Sequence, residues 1–186
     1  MIVNDADAPV IVVSGPGGVG KSTVSRLVAA AFDRSVHVQA DDFLASVVGG
    51  WVDPNRPDAA PQNEAVGAAC AVSAMAFAAH GYVTVLDGYL FPDGVDGLAA
   101  ACDARGLSCH YVVLAADLGT CWTRASGLGK GRWPLEFDAF AALHERFAGL
   151  HLDARQVVHA TEQPDSVRDA VPSAYRGGAL AVTAAR

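Results

Sequence analysis

The sequence predicts an α/β fold built on a parallel sheet. Two observations carry this reading. Short runs rich in valine and isoleucine alternate with longer segments at helical spacing, as strand–helix–strand crossovers require. A glycine-rich turn, Gly15-Pro16-Gly17-Gly18-Val19-Gly20-Lys21-Ser22, joins the first run to the first helical segment. The chain has 186 residues, 52% of them hydrophobic, which suits one domain (1–186) with a sizeable core.

Pro9–Ser14 is β-branched and uncharged, the pattern of a buried strand. After the turn, Val24, Leu27, Val28, Ala31 and Phe32 fall on one helical face. Val36–Ala40 reads as a second strand, and residues 43–61 as a loop broken by Gly49-Gly50, Pro54, Pro57 and Pro61. An alanine-rich helix is expected over Gln62–His80, with Gly81 ending it. Tyr82–Leu86 is a third strand closed by Asp87-Gly88, and residues 94–105 a helix. Cys109–Leu114 is a fourth strand, Asp117–Arg124 a helix, and Ala125–Pro134 a glycine-rich loop. Phe137, Phe140, Leu143, Phe147 and Leu150 mark another amphipathic helix. Arg155–His159 is a fifth strand, and a last helix begins near Pro164. The tail over about 176–186 is expected to be loosely ordered.

The formal net charge of -7 sits in one place. Residues 36–100 hold eight acids and a single base, Arg56, whereas the rest of the chain holds twelve of each. An acidic chain argues against a general nucleic-acid or anionic-membrane binder, since both need a basic face. No apolar stretch is long enough to span a bilayer. The opening Met-Ile-Val-Asn-Asp-Ala-Asp lacks the basic start and apolar run of a signal peptide. Four cysteines without metal-ligand spacing read as buried thiols. A cytoplasmic location is expected.

The turn matches G-x-x-x-x-G-K-[ST], with a strand before it and a helix after it, the context its chemistry needs. Glycines let backbone N–H groups converge on a phosphate, and the helix start adds its positive dipole end. Gly15, Gly17, Gly18, Val19, Gly20, Lys21, Ser22 and Thr23 form the expected nucleotide-binding set. Lys21 would reach the β- and γ-phosphates and Ser22 would ligate Mg²⁺. Asp87 ends an apolar strand beside that metal. Asp41 and Asp42 follow the second strand directly, so they lie at the carboxyl edge of the sheet where open α/β folds bind ligands. Asp41 is the expected general base for an acceptor hydroxyl. Asp42 either serves the metal or caps a helix. Arg124, Lys130 and Arg132 could form a lid whose cations stabilise the transferring phosphoryl group.

A regulatory GTPase would read guanine with N-K-x-D, but the only lysines are Lys21 and Lys130, and Lys130 is followed by Gly-Arg-Trp. A motor ATPase would need further domains. A kinase of a small hydroxylated compound fits better, with the acceptor held over about 41–96 by Asp41, Phe43, Trp51, Arg56 and Tyr89. A single arginine in that region disfavours nucleotide acceptors, which are gripped by bidentate arginines. A nucleoside, nucleotide or polynucleotide kinase remains the second reading. An ATP-hydrolysing regulatory module is the third. No nucleic-acid or membrane partner is expected, and oligomeric state is not readable.

Gly15–Ser22, Asp41-Asp42-Phe43, Val85-Leu86-Asp87-Gly88, the lid over about 124–134 and Val158–Gln163 occur in order along residues 9–172. In these segments the chain resembles small P-loop kinases of the chloramphenicol phosphotransferase-like group and short AAA-type ATP-binding proteins. The resemblance implies a P-loop NTPase fold whose five-stranded parallel sheet runs 2-3-1-4-5, with helices on both faces and a lid. It also implies ATP and Mg²⁺, a carboxylate base at Asp41, and adenine near the lid helix and the loop carrying Thr161 and Gln163. The match does not extend to an antibiotic-binding pattern in residues 43–61.

Overall fold

A computed structural model describes residues 8–127, 136–160 and 182. Five strands form one parallel sheet: β1 (Val10–Ser14), β2 (Ser35–Gln39), β3 (Val83–Asp87), β4 (Cys109–Ala115) and β5 (Val157–His159). Their order is β2-β3-β1-β4-β5, the order implied by the resemblance. β1 lies in the middle and every residue of it is buried, which explains its unbroken apolar run.

Among the described residues six α-helices connect or follow the strands: α1 (Lys21–Ala29), α2 (Ala40–Ala45), α3 (Ala60–Ala79), α4 (Pro92–Asp103), α5 (Leu118–Gly127) and α6 (Phe137–Ala148). Side chains alternate across each strand, so the sheet has two distinct apolar faces. Ile11, Val13, Val83, Val85, Val112 and Leu114 meet Val24, Val28 and Ala29 of α1, Cys121 of α5 and Phe140 of α6. On the other face Val10, Val12, Val38, Leu86, Tyr111 and Val113 meet α3 through Cys70, Ala74 and Met75. They also meet α4 through Val95, Leu98 and Ala99. Burying each Val, Ile or Leu contributes about 1.5–3 kcal/mol. All four cysteines are buried thiols within these layers. Among the described residues no helix is long and apolar enough to cross a membrane.

Several boundaries differ from the expectation: α5 runs on to Gly127 into the stretch read as loop, and β5 begins at Val157 after a 3-10 turn over Ala154–Gln156. The stretch read as a loop after β2 opens with α2, a helix too short to show periodicity, and Asp41 and Asp42 occupy its first turn. α3 begins at Ala60 with Pro61 inside its first turn, where a missing N–H costs nothing. α4 likewise starts at Pro92 rather than at 94. The end of α3 is as expected. Gly81 takes φ 78°, and Gly81 N–H and Tyr82 N–H donate to Ala78 O and Phe77 O at 2.9 and 3.1 Å. That pair of bonds closes a Schellman motif. The last helix, the lid residues 128–135 and the tail apart from Val182 lie outside the described residues; Val182 N–H donates to Cys109 O at 3.0 Å.

Candidate active site

The phosphate loop runs from the end of β1 to the start of α1. Gly15, Gly18 and Gly20 all have positive φ (140°, 68° and 102°), a backbone path that only glycine follows without strain. Two of these positions are also crowded. A Cβ at Gly18 would run into Cys121 O, so α5 lies directly against the loop. A Cβ at Gly15 would stand 2.5 Å from Leu114 O of β4. Gly17 packs beneath Phe140 and Tyr89, with their Cε2 and Oη 2.7 and 3.2 Å from its Cβ position. Val19 is buried, Ser22 half-buried and Thr23 exposed.

Lys21 Nζ donates to Gly15 O and Pro16 O, both at 2.9 Å, and lies 4.2 Å from the centre of the Tyr89 ring. Enclosure by these groups pulls the Lys21 ammonium down to about 8, against the opposing pull of Asp87 and Asp41. The Tyr89 hydroxyl is pushed up to about 12, first by its shielding against the loop and then by Asp41 and Asp87. Yet the residue as a whole is 49% exposed: the outer edge of the ring faces outward while the hydroxyl tucks inward. Lys21, Tyr89, Asp41 and Asp87 therefore form one electrostatic group at the carboxyl edge of the sheet.

Two residues absent from the sequence reading bond the backbone on either side of Tyr89. Ser14, the last residue of β1, accepts from Leu90 N at 3.0 Å; its hydroxyl lies 2.8 Å from Leu90 O and 3.1 Å from Gly88 O. Its one proton serves one carbonyl at a time. Tyr111 Oη donates to Leu90 O at 2.8 Å. A polar residue ending a buried strand was the available signal for Ser14.

Asp87 is 3% exposed, so its carboxylate needs a partner. His37 Nε2 supplies one, 2.7 Å from Asp87 Oδ2. Gln39 Nε2 donates to Ser22 Oγ at 3.0 Å. Neither was singled out in the sequence, although Ser35, His37 and Gln39 alternate as a polar face on β2.

The remaining expected residues spread around this centre. Phe43 is half-buried and packs on the α3/α4 side of the sheet. Trp51 is 36% exposed on the loop before α3. That loop is gripped by Gln62, which accepts from Val52 N at 2.9 Å and donates to Val52 O at 2.8 Å. Arg56 turns onto its neighbour instead of the cleft, pairing with both oxygens of Asp58 at 2.8 Å. Arg124 is half-buried on α5, whose first turn is fixed by Asp117 accepting from Thr120 N and Oγ1 at 2.8 and 2.7 Å. Lys130, Arg132, Thr161 and Gln163 lie outside the described residues.

Comparison with known proteins agrees with this fold. No curated protein sequence matches the chain. A gluconokinase from Sinorhizobium meliloti 1021 shares the fold with TM-score 0.60 and 17% identity, over 91% of this chain and 93% of that one. A sugar kinase from Janibacter sp. HTCC2649 gives TM-score 0.63 and 18% identity, over 91% and 95%. The tunicamycin resistance protein of Deinococcus radiodurans gives 0.58 and 17%, over 94% and 98%. A family described as an AAA domain matches residues 10–148, a span that runs from the first residue of β1 to the last of α6. With its P-loop, its 2-3-1-4-5 sheet and the carboxylates at that sheet's edge, the chain belongs to this AAA-domain family.

Proposed function

We propose that the protein is an ATP-dependent phosphotransferase that moves the γ-phosphoryl group to a hydroxyl of a small molecule. The observation that carries this reading is the convergence of Lys21, Asp41 and Asp87 at one edge of the sheet, each carboxylate close enough to act on the Lys21 charge.

The loop N–H groups and the start of α1 would hold the phosphates, with Lys21 leaving Gly15 O and Pro16 O to reach them. Asp41 orients the acceptor hydroxyl and takes its proton as the acceptor oxygen bonds to the γ-phosphorus and the bond to the β-phosphate oxygen breaks. Arg124, with Lys130 and Arg132, would offset charge on the group in transit. Thr161 and Gln163 would border the adenine.

The donors available to a metal also fit. Ser22 Oγ and the Asp87 carboxylate are hard oxygen ligands, and among the described residues no cluster of three or more His, Cys, Asp or Glu forms a full protein cage. Mg²⁺ suits such a site, because it keeps waters and substrate phosphates beside one or two protein oxygens. When bound it would neutralise charge between the β- and γ-phosphates. Asp42 sits in the first turn of α2, where it also favours the helix dipole.

The acceptor is most simply neutral or amine-bearing. Residues 36–100 carry one base against eight acids, and that base, Arg56, is engaged by Asp58. Two of the similar structures are a gluconokinase and a sugar kinase, which supports a hydroxylated acceptor. An ADP-release assay over sugars, other hydroxylated metabolites, antibiotics, nucleosides, nucleotides and polynucleotides tests this. Stimulation by a neutral hydroxylated compound is expected. Stimulation confined to nucleotide or polynucleotide acceptors would overturn it.

A further inference from the structure

We propose that β2 is the orienting strand of the metal-binding oxygens, with His37 positioning Asp87 and Gln39 positioning Ser22. The proposal rests on the phosphotransferase reading above, because it takes Asp87 and Ser22 as the oxygens that face Mg²⁺. Its own basis is geometric. β2 and β3 are parallel and paired with Gln39 opposite Asp87 and His37 opposite Val85. His37 and Gln39 are two residues apart, so both project from the same face of the sheet. That is the face against which α1 packs, and Ser22 lies in the first turn of α1. One strand thus delivers two donors to two oxygens that come from different elements.

The hydrogen-bond chemistry of each contact leaves room for a cation. An ionised carboxylate only accepts, so His37 Nε2 carries the proton in its 2.7 Å contact with Asp87 Oδ2. This fixes the carboxylate plane and leaves the other oxygen uncommitted to His37. Gln39 Nε2 occupies one acceptor position on Ser22 Oγ, and a hydroxyl has two. The second lone pair is then available to a metal. The His37 and Asp87 side chains are 14% and 4% exposed, so water competes little for this pair.

A purely structural role would require only that a buried carboxylate be satisfied. It gives no reason for a second donor, two residues along the same strand, aimed at the loop serine. Orientation of metal ligands by such outer partners is worth about 10- to 100-fold in metal affinity or activity.

The test uses the full chain and a fluorescent ATP analogue as probe. Affinity is measured in EDTA and again across a Mg²⁺ titration. The proposal expects H37F to bind the metal-free analogue within about twofold of wild type, while the Mg²⁺ needed for half-maximal tightening rises about 10- to 100-fold. H37Q places an amide N–H near the position of Nε2 and should restore most of the Mg²⁺ response. Q39L should shift it in the same direction as H37F. If H37F does not fold, H37N takes its place, because its shorter amide cannot reach Asp87. A wild-type Mg²⁺ response in H37F or H37N overturns the proposal. So does an equal loss with and without metal, or an H37Q variant no better than H37F. D87N separates this proposal from the reading beneath it. If D87N keeps the Mg²⁺ response, the assignment of Asp87 to the metal is wrong and the proposal falls with it. If D87N loses that response and H37F does not, only the role of His37 is lost.

Discussion

Lys21 is held by two loop carbonyls, the face of an aromatic ring and the charges of two carboxylates. Each of those contacts is one a phosphate oxygen could replace. K21A should therefore abolish turnover and weaken ATP binding, measured by nucleotide titration and ADP release; unchanged turnover would count against the loop as the phosphate site. Asp41 has a different expected signature. D41N should keep ATP binding and lose transfer by about 10²- to 10⁴-fold, the usual worth of a general base. Near-normal turnover in D41N would move the role to Asp42 or Asp87. Gly18 tests the loop backbone. G18A meets both a positive φ and the Cys121 carbonyl, so it should lower stability by at least about 1–3 kcal/mol, read from denaturant unfolding.

Among the elements, the loop before α3 depends on one side chain. Gln62 grips both the N–H and the C=O of Val52, next to Trp51. Q62A should raise the acceptor KM and the rate of proteolytic cleavage in this loop while leaving ATP affinity unchanged. Equal acceptor KM in Q62A and wild type would place the acceptor elsewhere. The sheet and its order of elements were legible because β-branched runs and helical spacing differ in period, and β1 and β3 are buried throughout and β4 through all but its last residue. The phosphate loop was legible because its glycines have steric work that no other residue does. What stayed hidden were pairings across elements. His37, Gln39 and Ser14 look ordinary in one dimension, and their roles appear only once β2 lies beside β3 and the loop after β3 folds over β1. Arg56 is a similar case: its bonds to both oxygens of Asp58, two residues away, are not readable from the sequence.

Across the whole molecule, charge is unevenly distributed along the chain. The segment 36–100, which carries Asp41 and Asp87, holds eight acids against one base, while the remainder of the chain is balanced and supplies Lys21 and Arg124. Stability also has a pH dependence built into the sheet. His110 on β4 is 6% exposed, and burial pulls its imidazole down to about 4 from an ordinary value of 6.5. Between pH 6.5 and about 4 the unfolded chain takes up a proton at this ring that the folded chain does not. Stability should therefore fall as pH falls through that window, by up to about 3 kcal/mol from this residue. H110F should flatten that limb in pH-dependent denaturant melts, and an unchanged limb would assign the acid sensitivity to other groups. The central claim concerns where the phosphoryl group goes, and the most direct measurement follows it. ATP labelled in its γ-phosphoryl group is incubated with the protein and each acceptor, and the label is traced by mass spectrometry. Label on a hydroxyl oxygen of a small-molecule acceptor with wild type, and almost none with D41N, is the predicted result. Label found only in inorganic phosphate, whatever the acceptor, would contradict it.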